Sequence, residues 1–129
     1  MGSFLNALRV EQVSVEPEEW ELLAPLLFSS DVLNTIIEVP AGFRTDFASV
    51  PRIPFAYWIA GGTAETAAVI HDYLYRKRKT FPDLTRAQAD LVFLEAMVAS
   101  GVAYWRRQAM YAAVQCFGYW AWERSGGAA

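Results

Sequence analysis

His71 is the only histidine among the 129 residues, and it stands in the run His71-Asp72-Tyr73-Leu74-Tyr75. Acid–base chemistry near neutral pH that uses an imidazole must therefore use this one, because histidine's unperturbed pKa, roughly 6.5, falls in that range. A lone acid, Asp90, follows on a separate segment among apolar residues. A carboxylate on one imidazole nitrogen fixes the tautomer and stabilises the imidazolium, leaving the other nitrogen to take a proton from water. Asp72 is placed to hold a cation beside such a water, where it would polarise a carbonyl or phosphoryl oxygen. The same spacings also carry a purely structural meaning. Asp90 lies four residues after Arg86, and Arg76 four after Asp72, so each acid can pair with an arginine along its own helix. His71 is then a hydrogen-bonded core residue that ties two helices together.

Two helices must bring these side chains together. Residues 64–78 contain Ala67, Ala68, Ile70 and Leu74 and no Gly or Pro, which predicts a helix. Thr85 opens a second helix with Gln88 three residues later, the spacing of a capping box. Ala87, Leu91, Leu94 and Val98 form its apolar stripe, and Ser100-Gly101 ends it. A third helix is expected over about 103–123. It is apolar on more than one face (Met110, Val114, Phe117 and Ala121, but also Trp105, Tyr111, Trp120 and Trp122), so it is buried or packs against something outside its own domain. The first half reads as strands: Val10–Val15 in rough alternation, Trp20–Leu23, Leu26–Phe28, then a turn at Ser29-Ser30-Asp31, then β-branched Thr35–Val39 closed by Pro40. Gly42 suits a turn with positive φ. The expected fold class is α+β, a small N-terminal antiparallel sheet followed by three α-helices. One domain spans 1–129: a β-rich part and loop over 1–51, a helical part over 52–124 and a flexible tail over 125–129.

Composition narrows the function classes. The chain is 54% hydrophobic, 19% charged and 15% aromatic, with a net charge of −3. It can bury a sizeable core with apolar surface left over, which points to a partner. A pI of about 5.1 lacks the basic footprint of a nucleic-acid binder, so no nucleic-acid partner is expected. The one basic run, Arg76-Lys77-Arg78-Lys79, complements a helix dipole at its C-terminal end; its functional meaning would be an anion or phospholipid headgroup. A single cysteine, Cys116, allows no intrachain disulfide and fits a reducing compartment. Residues 1–20 hold Arg9, Glu11, Glu16, Glu18 and Glu19 and do not read as a signal peptide. The most apolar stretch, Ala109 to Trp122, falls short of the ~20 residues of a membrane span. One His and one Cys exclude a Cys/His zinc site. There is neither a phosphate-binding glycine loop nor a Gly-x-Ser-x-Gly elbow, and Glu38, Glu65 and Glu95 lack a context for a carboxylate pair.

Two resemblances sharpen the expectations. His71-Asp72-Tyr73-Leu74-Tyr75, with Asp90 and Phe93 on the next helix, resembles the catalytic helix pair of the phospholipase A2 superfamily, with its His-Asp-x-x-Tyr motif. The likeness covers about residues 64–98. It implies His71 as general base, Asp90 as its partner, Tyr75 as support for the Asp90 carboxylate and Asp72 as a calcium ligand. The superfamily's glycine-rich calcium loop has no good counterpart; Pro40-Ala41-Gly42-Phe43-Arg44-Thr45-Asp46 is the nearest stretch. Three motifs in order, Gly42-Phe43-Arg44-Thr45-Asp46-Phe47-Ala48-Ser49-Val50-Pro51, His71-Asp72-Tyr73-Leu74-Tyr75 and Arg86-Ala87-Gln88-Ala89-Asp90, resemble a family of short phage and prophage proteins of unknown function. That likeness covers about residues 36–118 and implies a phage origin, hence a chain made in the host bacterial cytoplasm and carried in the virion. In the second stretch Asp46 can cap backbone N–H groups and Ser49 can cap a short helix from Pro51. Alternatively, Asp46 joins the His71–Asp90 cluster as a metal ligand or orienting acid.

Tyr104, Trp105, Tyr111, Tyr119, Trp120 and Trp122 make an aromatic belt on the last helix. It suits a core, an oligomer or virion interface, or a lipid surface, in that order after core packing is counted. Two functions follow as expectations. One is a virion-associated tail, baseplate or head–tail accessory subunit, joined to other virion proteins or to itself through this helix, with a buried polar network linking the helices to the 40–51 loop. The other is a phospholipase A2-like ester hydrolase.

Overall fold

The alternation of apolar and polar residues in Leu26–Ser30 is the seed of the first sheet. Leu26, Phe28 and Ser30 turn inward while Leu27 and Ser29 turn outward, as a period-two strand must. The computed structural model describes residues 2–15, 18–45, 65–77 and 83–128. In it the strands are β1 (Ser3–Phe4), β2 (Val10–Val15), β3 (Glu18–Leu22), β4 (Leu26–Ser30), β5 (Thr35–Val39) and β6 (Arg44–Thr45), and the helices are α1 (Glu65–Arg76), α2 (Arg86–Ala99) and α3 (Tyr104–Ala128). The α+β class with N-terminal antiparallel strands and three helices is as the sequence indicates.

The strands form two sheets rather than the single one expected. One has the order β1-β4-β5, the other β2-β3-β6, all antiparallel. The split has a definite cause. After Leu22 the chain leaves β3 to begin β4, and the β5–β6 turn brings Phe43 back to it: Leu22 N donates to Phe43 O at 3.0 Å and Gly42 N to Leu22 O at 2.8 Å. Gly42 takes φ +88° to make that turn, a conformation cheap only without a β-carbon. The β4–β5 turn lies at 31–34, beginning two residues later than the expected Ser29-Ser30-Asp31. Ser30 stays in the ladder opposite Thr35, and Asn34, at φ 52°, takes the left-handed position.

The helices start and stop where their caps dictate. Thr85 and Gln88 complete the capping box at the start of α2. Gly101 at φ +78° turns the chain after it, and Gly101 N bonds Val98 O at 3.1 Å. α3 runs on to Ala128, so most of the tail expected at 125–129 is helical. Its Gly126 and Gly127 lower helix propensity, yet the i→i−4 ladder carries across them.

Leu26, Phe28, Ile37 and Val39 from the first sheet, Ile70 and Leu74 from α1, Val92, Phe93, Ala96 and Met97 from α2, and Met110 and Val114 from α3 form one buried core. α1 and α2 pack on each other and on α3, and β1, β4 and β5 close the far side. No helix among the described residues is long and apolar enough to cross a membrane.

Candidate functional site

Helix periodicity puts His71 and Tyr75 one turn apart on α1, and Asp90 and Phe93 on neighbouring rows of α2. Packing of α1 on α2 brings all four together. His71 Nε2 lies 2.9 Å from Asp90 Oδ1, and the Tyr75 hydroxyl donates to the same oxygen at 2.6 Å. The imidazole is sandwiched between aromatic rings, with centroids 4.2 Å from Tyr75 and 4.6 Å from Phe93. His71 is 0% exposed and Asp90 1%. The other Asp90 oxygen, Oδ2, faces Arg86 Nη1 at 3.5 Å. Both meanings of the Asp90 spacing are thus realised at once: one oxygen for the histidine, one for the arginine a helical turn earlier.

Asp72 lies in a second cluster. Its Oδ2 accepts the Thr45 hydroxyl at 2.6 Å and its Oδ1 lies 3.3 Å from Arg76 Nε. Arg76 also donates from Nη1 to Arg44 O at 2.7 Å and covers the Phe43 ring. The expected link between the helices and the 40–51 loop is therefore made through β6, by Thr45 and Arg44. Asp46 lies outside the described residues, as do Ser49 and Pro51.

Among the described residues, the donor set around Asp72 does not suit calcium. A calcium ion needs six or more oxygen ligands, several of them anionic. Asp72 gives its oxygens to a hydroxyl and to a guanidinium, which already supplies the positive charge. Among the described residues no group of three or more His, Cys, Asp or Glu side chains converges to hold a metal ion.

Burial pushes the Tyr75 hydroxyl well above the ordinary tyrosine pKa of 10.0, and its hydrogen bond to Asp90 and the charge of that carboxylate push the same way. Arg86 opposes the rise. Burial, followed by the charge of Glu38, raises Tyr73 as well. The sign of the consequence is fixed. The unfolded chain releases the Tyr75 proton near pH 10 while the folded chain keeps it, so this contribution is complete below about pH 10 and is lost as pH rises above it, at about 1.4 kcal/mol per pH unit. Urea unfolding midpoints measured between about pH 9 and 11.5 should fall along that slope, and the Tyr75→Phe variant, which has no proton to release, should show a shallower one.

Three sets of long-range contacts are not legible in the sequence. Thr45 was visible only as a turn neighbour, because nothing in one sequence pairs it with a residue 27 positions on. Spacing pairs Arg86 with Asp90 along the helix; its reach to Val114 O (3.3 Å) and Gln115 O (3.1 Å) is tertiary. Glu95 holds the β4–β5 turn, accepting from Ser30 Oγ at 2.8 Å and from Asp31 N at 2.7 Å. Among the described residues, Ser100 Oγ is the one buried side-chain polar atom with no partner, so the His71–Asp90 network is closed.

Residues 20–114 match the family described as protein of unknown function, DUF1353. The uncharacterized protein y4jT of Sinorhizobium fredii (strain NBRC 101917 / NGR234) is 41% identical over 86 residues, which cover 62% of this chain and 23% of that protein. The chain therefore spans about a quarter of the length of the curated relative it matches. No solved structure matches it. His71, Tyr75, Arg86, Asp90 and Phe93, and the helices α1 and α2 that carry them, fall inside the matched stretch, and the chain belongs to the DUF1353 family.

Proposed function

We propose that the chain is a virion-associated protein of a bacteriophage, a tail, baseplate or head–tail accessory subunit, in which the His71–Asp90 network is a buried joint. The observation that carries this reading is the closure of the network: a fully buried imidazole on a carboxylate whose two oxygens are both engaged. Fully satisfied buried networks fix one packing of a core without doing chemistry. Here the joint holds the three-helix layer, and α3 opens with two exposed aromatics, Tyr104 at 67% and Trp105 at 58%. Such residues carry a large share of binding energy at protein interfaces. The test is mass spectrometry of purified particles of the encoding phage. The chain should co-purify at a fixed copy number, and the Tyr104→Ala/Trp105→Ala variant should be depleted from particles while remaining folded. Particles that lack the chain would sink the reading.

A second reading, a phospholipase A2-like hydrolase, is favoured by one specific observation. His71 Nε2 and the Tyr75 hydroxyl converge on a single Asp90 oxygen, the arrangement that the resemblance of the helix pair implies. On this reading His71 takes the proton of a water that attacks an ester carbonyl, Asp90 steadies the resulting imidazolium, and the imidazolium returns the proton to the departing alkoxide as the acyl C–O bond breaks. No step uses calcium. Turnover requires the ring, enclosed in this conformation, to meet water and substrate. Release of fatty acid from phosphatidylglycerol vesicles, abolished in His71→Asn with the fold intact, would establish it; no release above the uncatalysed rate rejects it.

A further inference from the structure

We infer that Arg86 is a positioning residue for the His71–Asp90 pair, and that through it α3 holds the geometry of that pair. The inference deepens the buried joint proposed above and depends neither on its place in a particle nor on turnover. Three observations carry it. First, Asp90 Oδ1 is committed to His71 and Tyr75, so the setting of the carboxylate plane depends on what holds Oδ2, and Arg86 Nη1 lies against it at 3.5 Å. An aspartate's terminal torsion is soft, and two bonds to one oxygen leave rotation about that oxygen open. Second, the same nitrogen donates to the carbonyls of Val114 and Gln115, 28 and 29 residues away in the middle of α3. A helix carbonyl has a second lone pair beyond its ladder bond, so a guanidinium can attach there without breaking the helix. Third, Val114 is fully buried against the core, which fixes this part of α3 relative to α2.

Arg86 therefore spans from α3 to the carboxylate that orients the only imidazole. A shift or rotation of α3 moves its carbonyls, draws the guanidinium away from Oδ2 and frees the carboxylate to turn. Linkage makes the relation reciprocal: whatever repacks α3 alters the His71 ring, and whatever alters the ring is felt at α3. Occupation of the exposed start of α3 by a partner would thereby reach the pair.

The test uses the purified chain of 129 residues and needs no partner. Imidazole 15N–1H resonances of His71 require no assignment, because there is one histidine. In Arg86→Met the Nε2–H signal should shift or broaden, and amide exchange over 110–116 should rise about tenfold relative to α1, the factor expected for losing a hydrogen bond to a charged group. Arg86→Lys keeps a positive charge near Oδ2, but its ammonium sits one bond short of the point from which Nη1 reaches both elements. It should leave the imidazole signal near its wild-type position while α3 exchange still rises. An unchanged imidazole signal in Arg86→Met would show that Arg86 serves α3 alone. Unchanged α3 exchange in either variant would show that there is no tie. Either result overturns the inference.

Discussion

Replacing Asp90 with alanine is expected to lower stability by about 3–5 kcal/mol, the range for removing one partner from a buried charged network. The loss has named parts. The His71 nitrogen and the Tyr75 hydroxyl lose the oxygen they share, and both stay inside the core, where an unpaired polar group costs about 1–3 kcal/mol. Arg86 loses its carboxylate too, but it is partly solvated and keeps the α3 carbonyls, so its share is small. Against a total of about 5–15 kcal/mol for an ordinary domain, a loss of this size leaves the fold marginal. Urea unfolding read by tryptophan fluorescence measures it. Asp90→Asn, which keeps the shape and one acceptor oxygen, should lose less. A loss below about 1 kcal/mol for Asp90→Ala would mean that the network contributes nothing net, the outcome expected if its desolvation cost cancels its bonds.

Phe93→Ala is expected to cost about as much, about 3–5 kcal/mol, for a different reason. Phe93 is fully buried, and its ring covers one face of the His71 imidazole at 4.6 Å. Truncation removes apolar area from the core and leaves a void that the surrounding helices, tied by their polar network, cannot collapse to fill. Equilibrium unfolding gives the magnitude, and Phe93→Leu, which leaves a smaller void, should fall well short of it. Because Phe93 and Asp90 both act on His71, the double variant should lose less than the sum of the two single losses. Additivity would show that the ring is held by one of them only.

Local signals in the sequence set most of the fold. Thr35–Val39 is a strand with the bounds its β-branched run and Pro40 imply, and Thr85 and Gln88 make the capping box that their spacing announces. Gly42 and Gly101 take the positive φ that turns demand. What escaped was non-local. β1 and β6 are two residues each, too short for any periodicity, and exist because longer strands offer them an edge. The division into two sheets follows from the return of Phe43 to Leu22, which no local pattern encodes. At the site, the meeting of His71 with Asp90 was legible because helix periodicity and one histidine leave few options. The engagement of Asp72 by Thr45 was not, since it depends on where β6 lands.

The Glu95 carboxylate has a consequence for the order in which the chain acquires its structure. β4 and β5 are adjacent in sequence, and their ladder can form early from local contacts alone. The turn between them is different: its serine hydroxyl and its Asp31 amide are both satisfied by an acid about 65 residues further along. That acid arrives only when α2 has docked, so closing the intervening loop precedes any gain from it. The bend therefore gains these two bonds only once α2 is in place, and a peptide of β4 and β5 alone would lack the acceptors that hold it. The same acid bars a side chain at Gly2, whose β-carbon would come within 2.7 Å of the Glu95 carboxyl carbon and 2.6 Å of Phe28. One residue of α2 therefore holds the bend of the hairpin and closely approaches the N-terminal end of the described chain.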